Sequence, residues 1–400
     1  MGKVLVTDGS QRSTLAVVRS LGQRSIAVTV AEEGLPCLSS RSRYCRQSFR
    51  YPAASDNPEG FVACLVDRVS TEQFDLLVPM TDITCRIIGQ YRNRFEPHVR
   101  IALADEEALT MASDKGEMVS TAQTLGIPAP ETVFIDESTD VEALAHNVSF
   151  PAVIKPRCSA TAGKAGWTKL GVNYVWSTEE LIGRIRQWDR SIPYPLIQRR
   201  VIGPGCGAFY LCDHGKRVAG FFHRRVREKP PSGGVSVLRE SVPVDKRMDD
   251  YATRLLAALQ WHGVAMVEFK IDEDDDLPKL MEINGRFWGS LQLAIDAGVD
   301  FPWLMWQLYT SGKAESAPEY RVGVRSRWLL GDLDHLLLRI FRSRRSLNLP
   351  EGAPGRLAAL VDFVRSGHAD TRLEVFDRDD PAPGRYELAQ YVRHLLGVGR

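Results

Sequence analysis

The first hundred residues alternate short apolar runs with segments of helical spacing. "KVLVTDG" is an apolar run closed by Asp8-Gly9, and "STLAVVRSLG" follows with Leu15, Val18 and Leu21 at helical intervals before a stop at Gly22. "SIAVTVAEE" predicts a second strand, "FDLLVPMTD" another that ends in Thr81 and Asp82, and "VRIALAD" one more. Apolar runs of this kind, with helices between them, belong to strands buried on both faces of a parallel sheet. Residues 1 to about 110 are therefore expected to form a small doubly wound α/β domain. The turn after the first strand, "TDGSQRST", lacks the spaced glycines that let a backbone approach a dinucleotide pyrophosphate. A structural or substrate-lining role is expected there, not an NAD site.

From about residue 111 the pattern changes. "MASDKGEMVSTAQTLGIPAPETVFI" predicts a helix after Ser113-Asp114, stopped by Gly126, Pro128 and Pro130, and then a strand. "FPAVIKPRCSATAGKAGW" reads as a strand ending at Lys155 and a loop of small residues. A helix at "TEELIGRIRQW" and a strand at "YPLIQRRVIG" follow. "GAFYLCDHGKRVAGFFHRRVRE" predicts a hairpin turned at Asp213-His214-Gly215, and "GVAMVEFKID" and "KLMEING" are two strands joined by the acidic turn "EDDDLP". This part is α+β and mostly antiparallel. Beyond about 316, Leu333, Leu336, Leu337, Ile340 and Phe341 form one helical stripe. It predicts a helix packed on the body of the protein, with Arg342, Arg344 and Arg345 at the end where the helix dipole favours cations. The tail predicts a strand, a proline-rich loop and a closing helix.

Composition narrows the function. Four hundred residues at 44% hydrophobic suffice for two or three domains, and a net charge of +1 provides no global field for nucleic acid or an anionic membrane. The N-terminus has no basic segment followed by a long apolar run, and no window reaches about 18 uninterrupted apolar residues, so neither secretion nor a membrane span is expected. Seven cysteines lie scattered without CxxC pairs, which argues against zinc and against a disulfide scaffold and fits a reducing cytoplasm.

The chemistry concentrates at "LMEINGRFWGS". Strand alternation places Leu280, Glu282 and Asn284 on one face, with Met281 and Ile283 on the other. On the preceding strand Val264, Met266, Glu268 and Lys270 share a face. Pairing through the acidic turn would bring Glu268 beside Glu282 or Asn284. Two adjacent carboxylates repel unless a cation or proton lies between them, and hard oxygen donors suit magnesium, with manganese as the alternative. Spacing alone leaves a second arrangement open: Glu268 paired with Lys270 or an arginine, and Glu282 and Asn284 finishing a solvent-facing strand. Upstream, Lys115, Lys155 and Lys164 stand at element ends or in the small-residue loop, where they could hold phosphates. That loop, "CSATAGKAGW", has only two glycines and is not a P-loop.

"SDK", "GIPAPET", "FPAVIKP", "LIQRRVIGPG", "MVEFK" and "LMEINGRF", in this order and spacing, resemble the ATP-grasp superfamily. The resemblance is strongest to its carboxylate-amine ligase-like branch with a carbamoyl-phosphate-synthase-type ATP-grasp domain, and it covers roughly residues 1 to 310. It implies a Rossmann-like pre-ATP-grasp domain over 1–110. A two-lobed ATP-grasp domain over 111–315 follows, with a small lobe at about 115–200 and a large lobe at about 201–315, and then a C-terminal α/β accessory region over 316–400.

The resemblance also implies ATP and magnesium. Lys115 and Lys155 would match the lysines on the nucleotide phosphates, with Lys164 in the covering loop, and Glu268, Glu282 and Asn284 the magnesium ligands. Arg286 would face the transferred phosphate and the acyl group. Gln198 to Val201 would form the adenine hinge, although Arg199 stands where an acidic residue is frequent. "HRRVREKPPSGG" resembles a loop near the acceptor, which makes Arg224, Arg225, Ser232 and Gly233 substrate-lining; the alternative is an exposed basic hairpin edge. Arg225 joins Arg286 as a catalytic candidate.

The implied reaction activates a carboxylate as an acyl phosphate and joins it to an amine, with the loop at 159–168 closing over it. Bicarbonate, ammonia or a thiol as co-substrate, and a catalytically silent ATP-binding protein, are the alternatives. The substrates are expected to be small molecules, in pockets built from Gly9 to Ser13, Thr81-Asp82 and the basic hairpin. A homo-oligomer is left open. Trp288 is expected in core packing more than in a pocket wall.

Overall fold

A computed structural model describes residues 2–163, 166–350, 352–366 and 371–397. The N-terminal part alternates β1 (Lys3–Val6), α1 (Arg12–Gln23), β2 (Ala27–Glu32), β3 (Cys45–Arg50), α2 (Pro58–Thr71), β4 (Leu76–Val78), α3 (Asp82–Gln90), α4 (Arg92–Phe95) and β5 (Arg100–Ile101). All five strands are parallel, in the order β3-β2-β1-β4-β5. Val4 to Val6 of β1 and the whole of β4 are apolar and buried because helices cover both faces of the sheet. β3 has no apolar run. It is an edge strand, largely exposed, and its sequence "CRQSFR" needs no buried face.

Two helices, α5 (Glu106–Ser113) and α6 (Lys115–Thr124), lead to a four-stranded antiparallel sheet, ordered β10-β7-β11-β6. Its elements are β6 (Thr132–Phe134), α7 (Val141–Ala145), β7 (Ala152–Lys155), the hairpin β8 (Ala160–Gly163) and β9 (Gly166–Lys169), β10 (Asn173–Val175), α8 (Thr178–Arg186) and β11 (Leu196–Arg199). The small-residue segment read as a loop is thus a two-stranded hairpin. It touches the N-terminal sheet domain: Trp167 N–H donates to Ser55 C=O at 2.7 Å, and Arg86 Nη1 donates to Ala160 C=O at 3.0 Å.

The largest sheet has seven strands, β16-β15-β12-β13-β14-β17-β18. It is built from β12 (Gly205–Asp213), β13 (Lys216–Lys229), β14 (Val235–Ser241), α9 (Lys246–Ala258), β15 (Gly263–Ile271), β16 (Pro278–Asn284), α10 (Leu291–Ala297) and α11 (Phe301–Ser311). β17 (Arg325–Arg327), α12 (Leu329–Phe341), α13 (Arg356–Arg365), β18 (Thr371–Leu373) and α14 (Pro381–Leu395) complete it. The C-terminal part therefore extends this sheet through β17 and β18, with α12 against β13 and β14.

Alternation along β12 sorts the two cores. Ala208, Tyr210 and Cys212 pack with α6 and α9, while Phe209 and Leu211 pack with α10, α11 and α1. On β15 the second face carries Val264 and Met266, and then the same face continues as Glu268 and Lys270. Where the apolar cover stops, the cleft begins. Among the described residues no helix is long and apolar enough to cross a membrane, and all seven cysteines are free thiols.

Candidate active site

A cleft of about 600 Å³ lies between the four-stranded and seven-stranded sheets. Lys115, Lys155, Gln198, Val201, Arg225, Glu268, Glu282, Asn284 and Arg286 all line it. Lys164 lies outside the described residues. Of the hairpin residues, Gly233 lines the cleft. Arg224 does not: it sits on the opposite face of β13 from Arg225, exposed and 3.1 Å from Glu240. Ser232 contributes only its carbonyl, which accepts from Tyr174 O–H at 3.2 Å and ties the hairpin to β10.

The two carboxylates face each other. β15 and β16 pair antiparallel with Glu268 opposite Glu282 and Met266 opposite Asn284. One expectation fails here. A bulge after Glu268 pairs Phe269 with Leu280, so Leu280 turns into the core, and Met281 joins Glu282 and Asn284 at the cleft.

Each arrangement left open by the spacing holds in part: Glu268 stands beside Glu282 and is also paired with an arginine, while Glu282 and Asn284 face a cleft and do not finish a solvent-facing strand. Glu268 forms an ion pair with Arg225 Nη2, whose other nitrogen reaches Glu228 at 2.8 Å, and Glu282 and Asn284 face the cleft. Burial raises the Glu268 carboxyl above its usual range; Glu282 adds to this and Arg225 only partly offsets it. Burial would raise Glu282 as well. Lys115, the Asn284 amide and Lys155 outweigh that and hold it low. The donors are all oxygens, with neither sulfur nor imidazole among them, and they fit a hard divalent cation.

The cationic side is built by helix capping and strand ends. Asp114 caps α6, accepting from Gly116 and Glu117 N–H at 2.7 and 3.2 Å, and also accepts from Arg157 Nε at 3.0 Å. Lys115 N–H donates to Arg157 C=O, so the helix start is fastened to the end of β7. Lys115 Nζ then donates to Ser159 Oγ at 2.9 Å and lies 3.8 Å from Glu282. On β7, Ala152 and Ile154 pack into the small core while Val153 and Lys155 face the cleft. Burial lowers Lys155 to about 8, with Glu282 opposing and Lys115 adding to the shift.

Arg286 is held from the N-terminal part. Its Nε and Nη2 reach the Asp82 carboxylate at 2.6 and 3.0 Å, a bidentate pair across 204 residues of sequence. Asp82 begins α3 beside the cap Thr81, and buried Asp8 gathers Thr81 and Thr84 hydroxyls at 3.2 and 2.7 Å, which orders this turn. At the hinge, Gln198 Nε2 donates to Thr132 Oγ1 at 2.8 Å while its Oε1 has no partner, and the Val201 carbonyl accepts from Lys270 Nζ at 3.3 Å. Arg199 is tied to Asp272 and Asp274. Trp288 is buried against Phe209, with ring centroids 4.4 Å apart, yet one edge borders the cleft.

Residues 210–331 match the family model described as ATP-grasp in the biosynthetic pathway with Ter operon. That stretch, which holds β13 to β17 and the Glu268–Glu282 pair, is similar to ATP-grasp proteins. The fold is similar to part of pyruvate carboxylase from Rhizobium etli, at 14% identity and a TM-score of 0.63 over 81% of this chain. That match covers 32% of the carboxylase, so the chain spans about a third of it. L-amino acid ligase from Bacillus licheniformis matches at 16% identity and a TM-score of 0.61, covering 80% of this chain and 78% of that one. The biotin carboxylase domain of Hydrogenobacter thermophilus 2-oxoglutarate carboxylase matches at 14% identity and a TM-score of 0.61, covering 81% of this chain and 73% of that one. At such identities the likeness is one of fold. No curated relative matches the sequence.

Several cleft residues carry no signal that the sequence patterns above pick out as part of a site. Lys270 could have been found, since it shares a strand face with Glu268. Met281 was hidden by the bulge. Tyr174, over whose ring Arg200 of the hinge segment lies at 4.9 Å, comes from a segment with no motif.

Proposed function

We propose that this protein is an ATP-dependent carboxylate-amine ligase. The observation that carries the reading is Glu268 facing Glu282 in one cleft with Lys115, Lys155 and Arg286. Lys115 and Lys155 hold the nucleotide phosphates, and the hinge at Gln198–Val201 borders the base. Glu268, Glu282 and Asn284 are the residues that would hold magnesium, which when bound neutralises charge on the phosphates. A substrate carboxylate attacks the γ-phosphate, giving ADP and an acyl phosphate; Arg286, fixed by Asp82, faces the acyl group. An amine then displaces phosphate and an amide forms. The fold neighbours described as an L-amino acid ligase and as a biotin carboxylase domain in complex with MgADP and bicarbonate support the choice of nucleotide and reaction class.

The test is ADP release with a panel of carboxylates and amines, with bicarbonate, ammonia and thiols as separate arms. ADP that appears only when a carboxylate is added supports the ligase. ATP binding without ADP in any arm contradicts it.

Lys155 provides a pH test. With its value near 8 in the free site, about half of the ammonium is lost at pH 8, whereas bound phosphates favour the charged form. ATP binding is therefore expected to take up protons around pH 8–9, and affinity to fall as pH rises through that window. Calorimetry in buffers of different ionisation heat measures this. Lys155→Met should abolish the uptake and weaken ATP roughly 10²-fold, as loss of a buried charge-assisted contact does. Uptake unchanged in the variant would remove Lys155 from the phosphate site.

A further inference from the structure

One part of the cleft has no task in phosphate chemistry. It is lined by Gln11 and Arg12, from the β1–α1 turn, and by Trp288, Gly289 and Ser290. Arg12 is 11% exposed and opens α1. A Cβ placed on Gly289 would lie 3.3 Å from Arg12 Nη2, so the guanidinium rests against the backbone of the 288–290 turn. Its carbon lies 4.0 Å from the centroid of the Trp328 ring.

The C-terminal part fixes this arginine. Arg12 Nη1 pairs with Glu374 Oε2, which stands directly after β18 and 362 residues away in sequence. The same oxygen is 2.5 Å from Arg239 Nη2, and Arg239 is wholly buried. One buried carboxylate thus serves two guanidiniums. Glu387, which accepts from Trp328 Nε1 at 2.8 Å, is the other acid facing Arg12, and burial raises its carboxyl above the usual range. Trp288 Nε1 is buried at the same turn without a partner. A guanidinium that shares its buried carboxylate with Arg239, and an unpaired N–H, both beside open space, favour an incoming anion.

We propose that Arg12 receives a non-reacting carboxylate of one small-molecule substrate, and that Glu374 is the positioning residue supplied by the C-terminal region. That the ligand is a substrate rests on the ligase reading; that it is a carboxylate rests on Arg12 and its surroundings. Either the activated acid is a dicarboxylate or the amine is an amino acid. The C-terminal region is then part of the substrate site and not only a prop for the sheet.

The experiment titrates the full chain with a panel of dicarboxylates and α-amino acids, read by tryptophan fluorescence, since Trp288 and Trp328 flank Arg12. ADP release is followed in the same samples. Saturable binding of at least one panel member is expected. It should weaken about 10-fold or more in Arg12→Gln, recover in part in Arg12→Lys, and weaken in Glu374→Gln more than in Glu374→Asp, with ADP affinity unchanged. Where turnover is seen, KM for that substrate should rise while KM for ATP does not. No saturable binding to the wild type, or equal binding by a folded Arg12→Gln variant, overturns the proposal. Arg12-dependent binding without ADP release in any arm supports it and contradicts the ligase reading instead.

Discussion

Glu282→Gln is expected to lower magnesium-dependent ATP turnover by at least about 10³-fold while the fold persists, the scale of losing a charge that meets the transferring phosphoryl group. The side chain is 32% exposed and faces the cleft, so its replacement by an amide of the same shape opens no cavity. Lys115 and Lys155 lose the carboxylate that both of them face. Glu268 loses a like-charged neighbour, but Lys115, Asn284 and Lys155 hold the Glu282 carboxyl low, so its ionised form is net favourable in the fold and neutralising it should cost a little stability, on the order of 1 kcal/mol or less for a side chain this exposed. Coupled ADP assays with a magnesium titration and a thermal melt measure both sides. Turnover within tenfold of wild type would remove Glu282 from the metal site.

Asp332→Ala is expected to destabilise the protein by about 3–5 kcal/mol, the cost of leaving buried charges without their partner. Asp332 lies on α12 and is fully buried. It accepts from Arg227 Nε and Nη2, both at 2.6 Å, and from Arg327 Nε at 2.6 Å. Those arginines belong to β13 and β17, so one carboxylate joins α12 to two strands of the large sheet. Asp332→Asn keeps the shape and should cost less. The exposed pair Arg186 and Glu142, 68% and 51% accessible, is the control, and breaking it should cost under about 1 kcal/mol. Urea unfolding of the three variants measures the contrast. A loss below about 1 kcal/mol for Asp332→Ala would contradict the buried-network account.

What could be read in the sequence was local. Apolar runs announced β1, β2 and β4, and Ser113-Asp114 announced the start of α6 with Lys115 at its first position, because burial on two faces and helix capping leave marks within a few residues. Alternation brought Glu268 opposite Glu282. It failed one residue later, where the bulge exchanged Leu280 and Met281, since a single extra residue inverts a period of two without changing composition. β3 was missed because an exposed edge strand carries no apolar pattern. Arg286 with Asp82 and Arg12 with Glu374 were out of reach for another reason: each joins parts of the chain hundreds of residues apart, which only the packing of three sheets brings together.

The most direct measurement of the proposed chemistry is to trap the intermediate. Purified protein, magnesium, ATP and a carboxylate that supports ADP release are incubated with hydroxylamine, and ADP and the acyl hydroxamate are quantified together. Stoichiometric hydroxamate and ADP, both lost in Glu282→Gln, are predicted. AMP and pyrophosphate as products, or ADP without hydroxamate, would contradict an acyl phosphate formed in this cleft.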